Sequence, residues 1–196
     1  MRNKIKDWIQ ESIRVKQAIH DDPKIRKQIE LASALLTGII KGNGNVYVCG
    51  NGGSASDSAH FVAELMNRFT MLREYPIPAV DLSAMNSTIT AISNDYSFDA
   101  IYSKQLKALM RADDLLVAIT TSGKSHNIIE ALKVSNSKGN HSILLTGEGV
   151  AVDRDYGISG VQHINVPSNN TPIIQESHIM IIHILCSLLD DALEGK

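Results

Sequence analysis

Only two cysteines occur among the 196 residues, Cys49 and Cys186. They lie far apart, each inside an apolar run, so a disulfide scaffold is excluded and two reduced core thiols are expected. Basic excess is missing as well. Nineteen Lys and Arg stand against 21 Asp and Glu, for a net charge of -2, whereas nucleic-acid binders carry a basic surplus. The densest basic stretch, Lys24 to Lys27, falls in an amphipathic segment and reads as a solvated helix face. No uninterrupted apolar run reaches the ~20 residues of a membrane span. Met1 to Ile19 mixes charge with apolar residues at helical spacing, unlike a secretory leader, so the cytoplasm is the expected compartment. Repeats, low-complexity tracts and linkers are absent, which leaves one domain over residues 1–196.

What is present is an ordinary globular balance, 43% hydrophobic and 20% charged. A chain of this length buries about two-thirds of its unfolded surface, enough for a core that needs no staples. Ile5, Trp8, Ile9 and Ile13 recur at spacings of three and four and predict a first helix. Asp21-Asp22-Pro23 signals the start of a second, with Ile25, Ile29, Ala32, Leu35, Leu36 and Ile39 on its apolar face. After Gly42-Asn43-Gly44 strands and helices alternate. Strands are predicted near 46–49, 79–82, 115–119, 142–145 and 163–166. Helices are predicted over 54–69 (capped by Ser54), 85–93, 97–111, 126–138 and 172–193. This alternation implies an α/β fold, a doubly wound and mostly parallel five-stranded sheet. Ligands of such sheets bind at the strand C-termini.

Two loops leave strand ends and enter helices: Gly50-Asn51-Gly52-Gly53-Ser54 and Thr120-Thr121-Ser122-Gly123-Lys124-Ser125. Glycines let the backbone approach a ligand, and the N–H groups at a helix start attract anions. The second loop adds four hydroxyls and a Lys, donors that suit a terminal phosphate. Neither loop is a Walker P-loop, because position 118 is Ala where that motif requires Gly, and no G-x-G-x-x-G occurs. Capping hydroxyls in an ordinary strand–helix turn are the simpler alternative for either loop alone.

His60 and Glu64 are spaced i,i+4 and share a helix face, a pairing that suits a metal, acid–base work or a plain surface pair. Gln175, Glu176, His178 and His183 fall on the last helix. His183 sits among apolar residues and reads equally as a satisfied core histidine. Eight residues separate Gln175 from His183, about 12 Å along a helix. If both line one site, the spacing points to different subunits. Asn94-Asp95-Tyr96 is a polar group that also reads as a helix terminus.

These motifs together resemble the phosphoheptose isomerases. The resemblance rests on Gly50-Asn51-Gly52-Gly53-Ser54-Ala55 with His60-Phe61 and Glu64-Leu65, then on Asn94-Asp95-Tyr96 and Thr121-Ser122-Gly123-Lys124-Ser125. Gln175-Glu176-Ser177-His178-Ile179 and His183-Ile184-Leu185-Cys186 complete it in order. It implies a SIS fold in a homotetramer with interface active sites, residues 1–41 forming a helical pair at the oligomer interface. It implies conversion of sedoheptulose 7-phosphate to D-glycero-D-manno-heptose 7-phosphate through an enediol, the first step toward activated heptose for bacterial surface glycans such as lipopolysaccharide. Under it, Asn51, Gly52, Gly53, Ser54, Glu64, Asn94, Asp95, Thr120, Thr121, Ser122, Ser125 and Gln175 bind substrate. Glu64 and His183 are the acid–base pair, and His60, Glu64, Gln175 and His183 match zinc ligands.

The chain departs from the family pattern at Thr120, usually Ser, and at Lys124, often Asn. It departs also at Ser93 and Ser97, at Met85-Asn86, and at Ile173, where a basic residue is expected. Two rival readings share the scaffold: a non-catalytic regulator that binds a replication initiator protein, and an isomerase of another phosphosugar. Retention of Glu64 and His183 favours an enzyme.

Overall fold

The structure is a computed structural model that describes residues 2–70 and 76–194. Two helices lead, α1 (Arg2–Asp21) and α2 (Pro23–Lys41). Asp22 sets their junction: its carboxylate accepts from the Lys24 N–H at 2.7 Å, and Pro23 takes the first helical position, where no N–H is needed. Then come β1 (Val46–Gly50), α3 (Gly53–Met66), β2 (Ala79–Asp81) and α4 (Asn86–Asp95). A 3-10 turn at Phe98–Ala100 leads into α5 (Ile101–Leu109), β3 (Leu115–Ile119) and α6 (His126–Ser137). The chain closes through β4 (His141–Thr146), a short α7 (Val152–Tyr156), β5 (Val161–Asn165) and α8 (Thr171–Glu194).

Three local expectations change. The segment 97–111 is not one regular helix: Ser97 is extended (φ -168, ψ 162), Phe98–Ala100 form the 3-10 turn, and α5 stops at Leu109, where Met110 turns extended. Ser54 does not cap α3. The helix starts at Gly53, and its N-cap is Gly52 at φ 56, with no side-chain cap bond. Positive φ is cheap for glycine, so backbone replaces a hydroxyl at this helix start, and Ser54 is buried in the first turn. α7 was not anticipated at all.

All five strands are parallel, in the order β2-β1-β3-β4-β5. β1, the first strand, thus lies inside the sheet, with β2 on one side and β3 on the other. Successive strands are added on one side of β1 at β2 and on the other from β3 onward, so the boundary between β1 and β3 is the topological switch point where ligands of open α/β sheets bind. Successive side chains point to opposite faces. Val46 and Val48 join Leu115, Val117 and Ile119 in one core with α1, α2, α3 and α8. Tyr47 and Cys49 join Leu116, Ala118 and Leu144 in a second core under α5 and α6. Strands buried on both faces carry continuous apolar runs, which is why Leu115–Ile119 reads so plainly from sequence. Cys49 and Cys186 fall in the two different cores, and neither is in a disulfide.

α8 is the stretch that comes nearest to a membrane span among the described residues. By length and mean hydropathy it reaches what a membrane span needs, although charged and polar residues interrupt its apolar runs. Half of that stretch is buried within this protein: Ile173, Ile174, Ile181, Ile182, Leu185 and Leu189 pack into the core shared with α2 and α3. Ile173, where the family pattern expects a basic residue, is fully enclosed. α1 docks more lightly. Glu176 of α8 accepts hydrogen bonds from Ser12 and from Lys16, the latter at 2.6 Å. Ile5, Trp8, Ile9 and Ile13, the predicted apolar set of α1, remain 45–63% exposed.

Candidate functional site

The two candidate loops lie side by side, because Gly50 at the end of β1 pairs in register with Ile119 at the end of β3. Ser83 and Tyr102 hold the first loop. Ser83 Oγ accepts from the Gly50 N–H at 3.2 Å, and the Tyr102 hydroxyl donates to the Gly50 carbonyl. Burial pushes the Tyr102 phenol up to about 12, which keeps it a donor. A side chain at Gly50 would collide with the Ser54 backbone, so glycine here permits the sharp entry into α3.

Asn51 then ties one loop to the other. Its Nδ2 donates to Asn127 Oδ1 at 2.9 Å, and Asn127 Nδ2 donates back to Asn51 Oδ1 at 2.9 Å. Asn127 is a buried residue of the first turn of α6 that the sequence reading missed. With both ends of its amide committed, Asn51 acts through its position in the loop. Gly52 and Gly53 are exposed, and Ser54 beneath them is buried.

In the second loop Thr120 is buried, with its hydroxyl 3.4 Å from Ser125 Oγ. Ser125 is the N-cap of α6 but makes no side-chain cap bond. The first-turn N–H groups of a helix lack intrahelical partners, so the start of α6 offers donors beside the two hydroxyls. The Thr121 carbonyl accepts from the Gly147 N–H at 2.9 Å, which fixes the loop to the end of β4. Ser122 and Lys124 are exposed, and the Lys124 N–H donates to Ser122 Oγ at 3.2 Å. Gly123 has φ 64 and is enclosed. This arrangement can take an anion on backbone N–H groups and hydroxyls.

α3 and α8 supply the titratable groups. His60 Nε2 stands 2.7 Å from His183 Nε2, and His60 Nδ1 is 3.7 Å from Glu64 Oε1. One chain thus brings His60, Glu64 and His183 together. Phe69 lies against His183 with ring centroids 5.4 Å apart. Gln175 lies two turns earlier on α8, and its amide occupies the space over Gly53 that a side chain there would fill. Among the described residues no three His, Cys, Asp or Glu side chains stand in metal-binding geometry. The two imidazoles are in direct hydrogen-bond contact, whereas two ligands of one tetrahedral zinc stand about 3.3 Å apart. A side-chain shift of about 0.6 Å opens that space, and the two imidazoles and the carboxylate form a donor set that fits the ion.

Two further buried groups lie on these helices: Asp57, which escaped the sequence reading, and His178, which that reading named only within the last-helix motif. Asp57, one turn before His60, is buried with Oδ2 unpartnered, and burial pushes its carboxyl up to about 6. His178 is fully buried on α8, donates from Nε2 to the Thr146 carbonyl at 3.2 Å and leaves Nδ1 without a partner. Burial lowers its pKa to about 4. Asp57 carries no sequence signal beyond the helix it sits on.

Asn94 and Asp95 sit apart from these loops. They are exposed at the end of α4 and bond to each other at 2.9 Å. No residue of α4 is buried, and the adjacent Tyr96 and Phe98 are more than half exposed.

Comparison with known proteins agrees with this fold. The SIS domain family matches residues 7–147. A phosphoheptose isomerase of Shewanella denitrificans is 44% identical over 193 residues, 98% of this chain and 97% of that protein. The structure of phosphoheptose isomerase from Neisseria gonorrhoeae superposes with a TM-score of 0.88 at 38% identity, over 97% of this chain and 98% of that one. A phosphoheptose isomerase structure from Francisella tularensis gives 0.89 at 37%, over 96% and 97%.

Proposed function

This chain belongs to the phosphoheptose isomerase family of SIS-domain proteins, and on that premise we propose that it converts sedoheptulose 7-phosphate to D-glycero-D-manno-heptose 7-phosphate. The observation that carries the proposal is the meeting of Glu64 and His183 at His60 in one chain, on helices that border the hydroxyl-rich loop at the switch point. The sugar's phosphate sits on Thr120, Thr121, Ser122 and Ser125 at the start of α6, where N–H groups and hydroxyls converge. Asn51, Gly52, Gly53, Ser54 and Gln175 line the sugar between the loops. Asn94 and Asp95 reach a sugar from their exposed helix across a subunit boundary.

Moving the carbonyl from C2 to C1 requires a proton to leave C1 and return at C2 through an enediol. Glu64 takes and returns the carbon proton. His183 moves the oxygen proton and assists ring opening. Each such transfer is typically worth ~10²–10⁴-fold in rate. His60, Glu64, Gln175 and His183 would hold zinc, which when bound polarises the sugar carbonyl.

Assembly completes the proposal. Ile5, Trp8, Ile9 and Ile13 leave an apolar stripe on α1, and the exposed α4 surface adds Tyr96 and Phe98. Apolar surface of this kind marks an interaction site, and a homotetramer with sites at subunit boundaries covers it. Residues 1–196 then act as one SIS domain, with 1–41 at the interface. The enzyme works in the cytoplasm, at the first step toward activated heptose for surface glycans. The test is incubation of the purified protein with sedoheptulose 7-phosphate, with added zinc and with a chelator. Appearance of the aldose supports the reading, and absence of product under both conditions overturns it.

A further inference from the structure

The unanticipated helix α7 ends on Tyr156, and the Tyr156 hydroxyl donates to the Gly123 carbonyl. Val150, just before α7, packs on the same glycine. A side chain at Gly123 would collide with Val150 Cγ2 and stand 2.9 Å from the Tyr156 hydroxyl. The segment is closed on itself by the Asp155 N–H donating to the Ala151 carbonyl at 2.7 Å, with the Asp155 carboxylate accepting from the Ala151 N–H at 2.8 Å. Tyr156 therefore reaches the anion loop from a braced support.

The consequence lies in one peptide plane. The Gly123–Lys124 bond is trans, so its C=O and N–H point in opposite directions. With the carbonyl held on one side by Tyr156, the Lys124 N–H points to the other, to Ser122 Oγ at 3.2 Å. Glycine at φ 64 is the residue after which such a plane turns over at least cost. Turned over, the plane would present a carbonyl oxygen to the bound anion in place of a donor.

We propose that Tyr156 is a positioning residue, which locks the Gly123–Lys124 peptide in the orientation that binds the substrate's phosphate. The inference rests on reading residues 120–125 as the phosphate cradle. Burial pushes the Tyr156 phenol up to about 12, so the donor persists across any working pH. Tyr156 touches the loop from outside and takes no part in proton transfer.

Tyr156→Phe removes the donor and keeps the ring. Val150→Ala thins the same packing and keeps the hydrogen bond. Steady-state kinetics on sedoheptulose 7-phosphate and thermal-shift titration with inorganic phosphate compare both variants with the full wild-type chain. For Tyr156→Phe, KM and the phosphate Kd should rise together by about two- to tenfold, the contribution of one ordinary hydrogen bond, with kcat unchanged. Val150→Ala should keep the wild-type phosphate Kd. An unchanged phosphate Kd in folded Tyr156→Phe overturns the proposal, as does an equal loss in Val150→Ala. If wild type turns over no sugar, the substrate reading fails, and the phosphate titration still decides the role of Tyr156.

Discussion

Asn51 and Asn127 exchange a reciprocal pair of side-chain hydrogen bonds, at 2.9 Å each, across 76 residues of chain. This amide pair joins the loop after β1 to the first turn of α6, so the geometry of one loop depends on the other. Asn127→Leu leaves Asn51 Nδ2 without its acceptor, while Asn51 Oδ1 keeps the Tyr102 hydroxyl at 3.2 Å. An unsatisfied donor costs about 1–3 kcal/mol when buried, which bounds the loss for half-buried Asn51. Urea denaturation should show a loss of that size, and KM should rise because both loops shift together.

Glu64→Gln and His183→Gln should each lower kcat by ~10²–10⁴-fold and leave circular dichroism and oligomeric state as in wild type. Near wild-type turnover by either variant would remove that residue from proton transfer.

Zinc should bind the purified chain with a stoichiometry of one per subunit, read by calorimetry against a competing chelator. His60→Ala removes a direct ligand, so the affinity should fall on the order of 100-fold or more, beyond what loss of an outer partner typically causes. Equal zinc affinity in His60→Ala would place the ion elsewhere.

His178 links stability to acid. Burial holds its folded pKa at about 4 against an ordinary 6.5, so between those values the folded protein binds fewer protons than the unfolded chain. This contribution is complete above pH 6.5 and is lost as pH falls toward 4. Its ceiling is on the order of 3 kcal/mol. His178→Asn should flatten the decline in urea-denaturation stability between about pH 7 and about pH 5, whatever its effect at neutral pH. An unchanged slope would show that another group carries the acid limb.

The apolar stripe on α1 gives a prediction about assembly. Ile9→Glu places a charge among Ile5, Trp8 and Ile13. Light scattering should show the proposed tetramer giving way to smaller species, and activity should fall with it. A variant that stays tetrameric would move the interface off this stripe.

Much of the fold was legible because the strands are buried on both faces. Leu115–Ile119 has no polar residue to obscure it, and the Asp22-Pro23 junction carries its own local chemistry. The loops at 50–54 and 120–125 were legible for the same reason, as glycine and hydroxyls concentrated at strand ends. What stayed hidden depends on tertiary partners. Asn127 is one polar residue in a helix turn until Asn51 faces it. Tyr156 sits on a helix of five residues, too short for any apolar period. Ser54 has the composition of a cap, yet Gly52 takes that place through its backbone angle. The exposure of the α1 stripe was equally invisible, since spacing identifies an apolar face without saying what covers it. Ile173 shows the reverse: a departure from the family pattern that becomes intelligible once its side chain is found enclosed in the core.

Because β1 is flanked by β2 and β3, the two ligand loops come from segments that meet only when distant parts of the chain have paired. A nascent chain that has emerged only through α4 contains the first loop and no second one. The proposed anion site is therefore a property of the β1–β3 pairing, and a phosphate ligand is a probe blind to every form in which those two strands are apart. Its stabilising effect during synthesis or refolding begins only after β3 has docked.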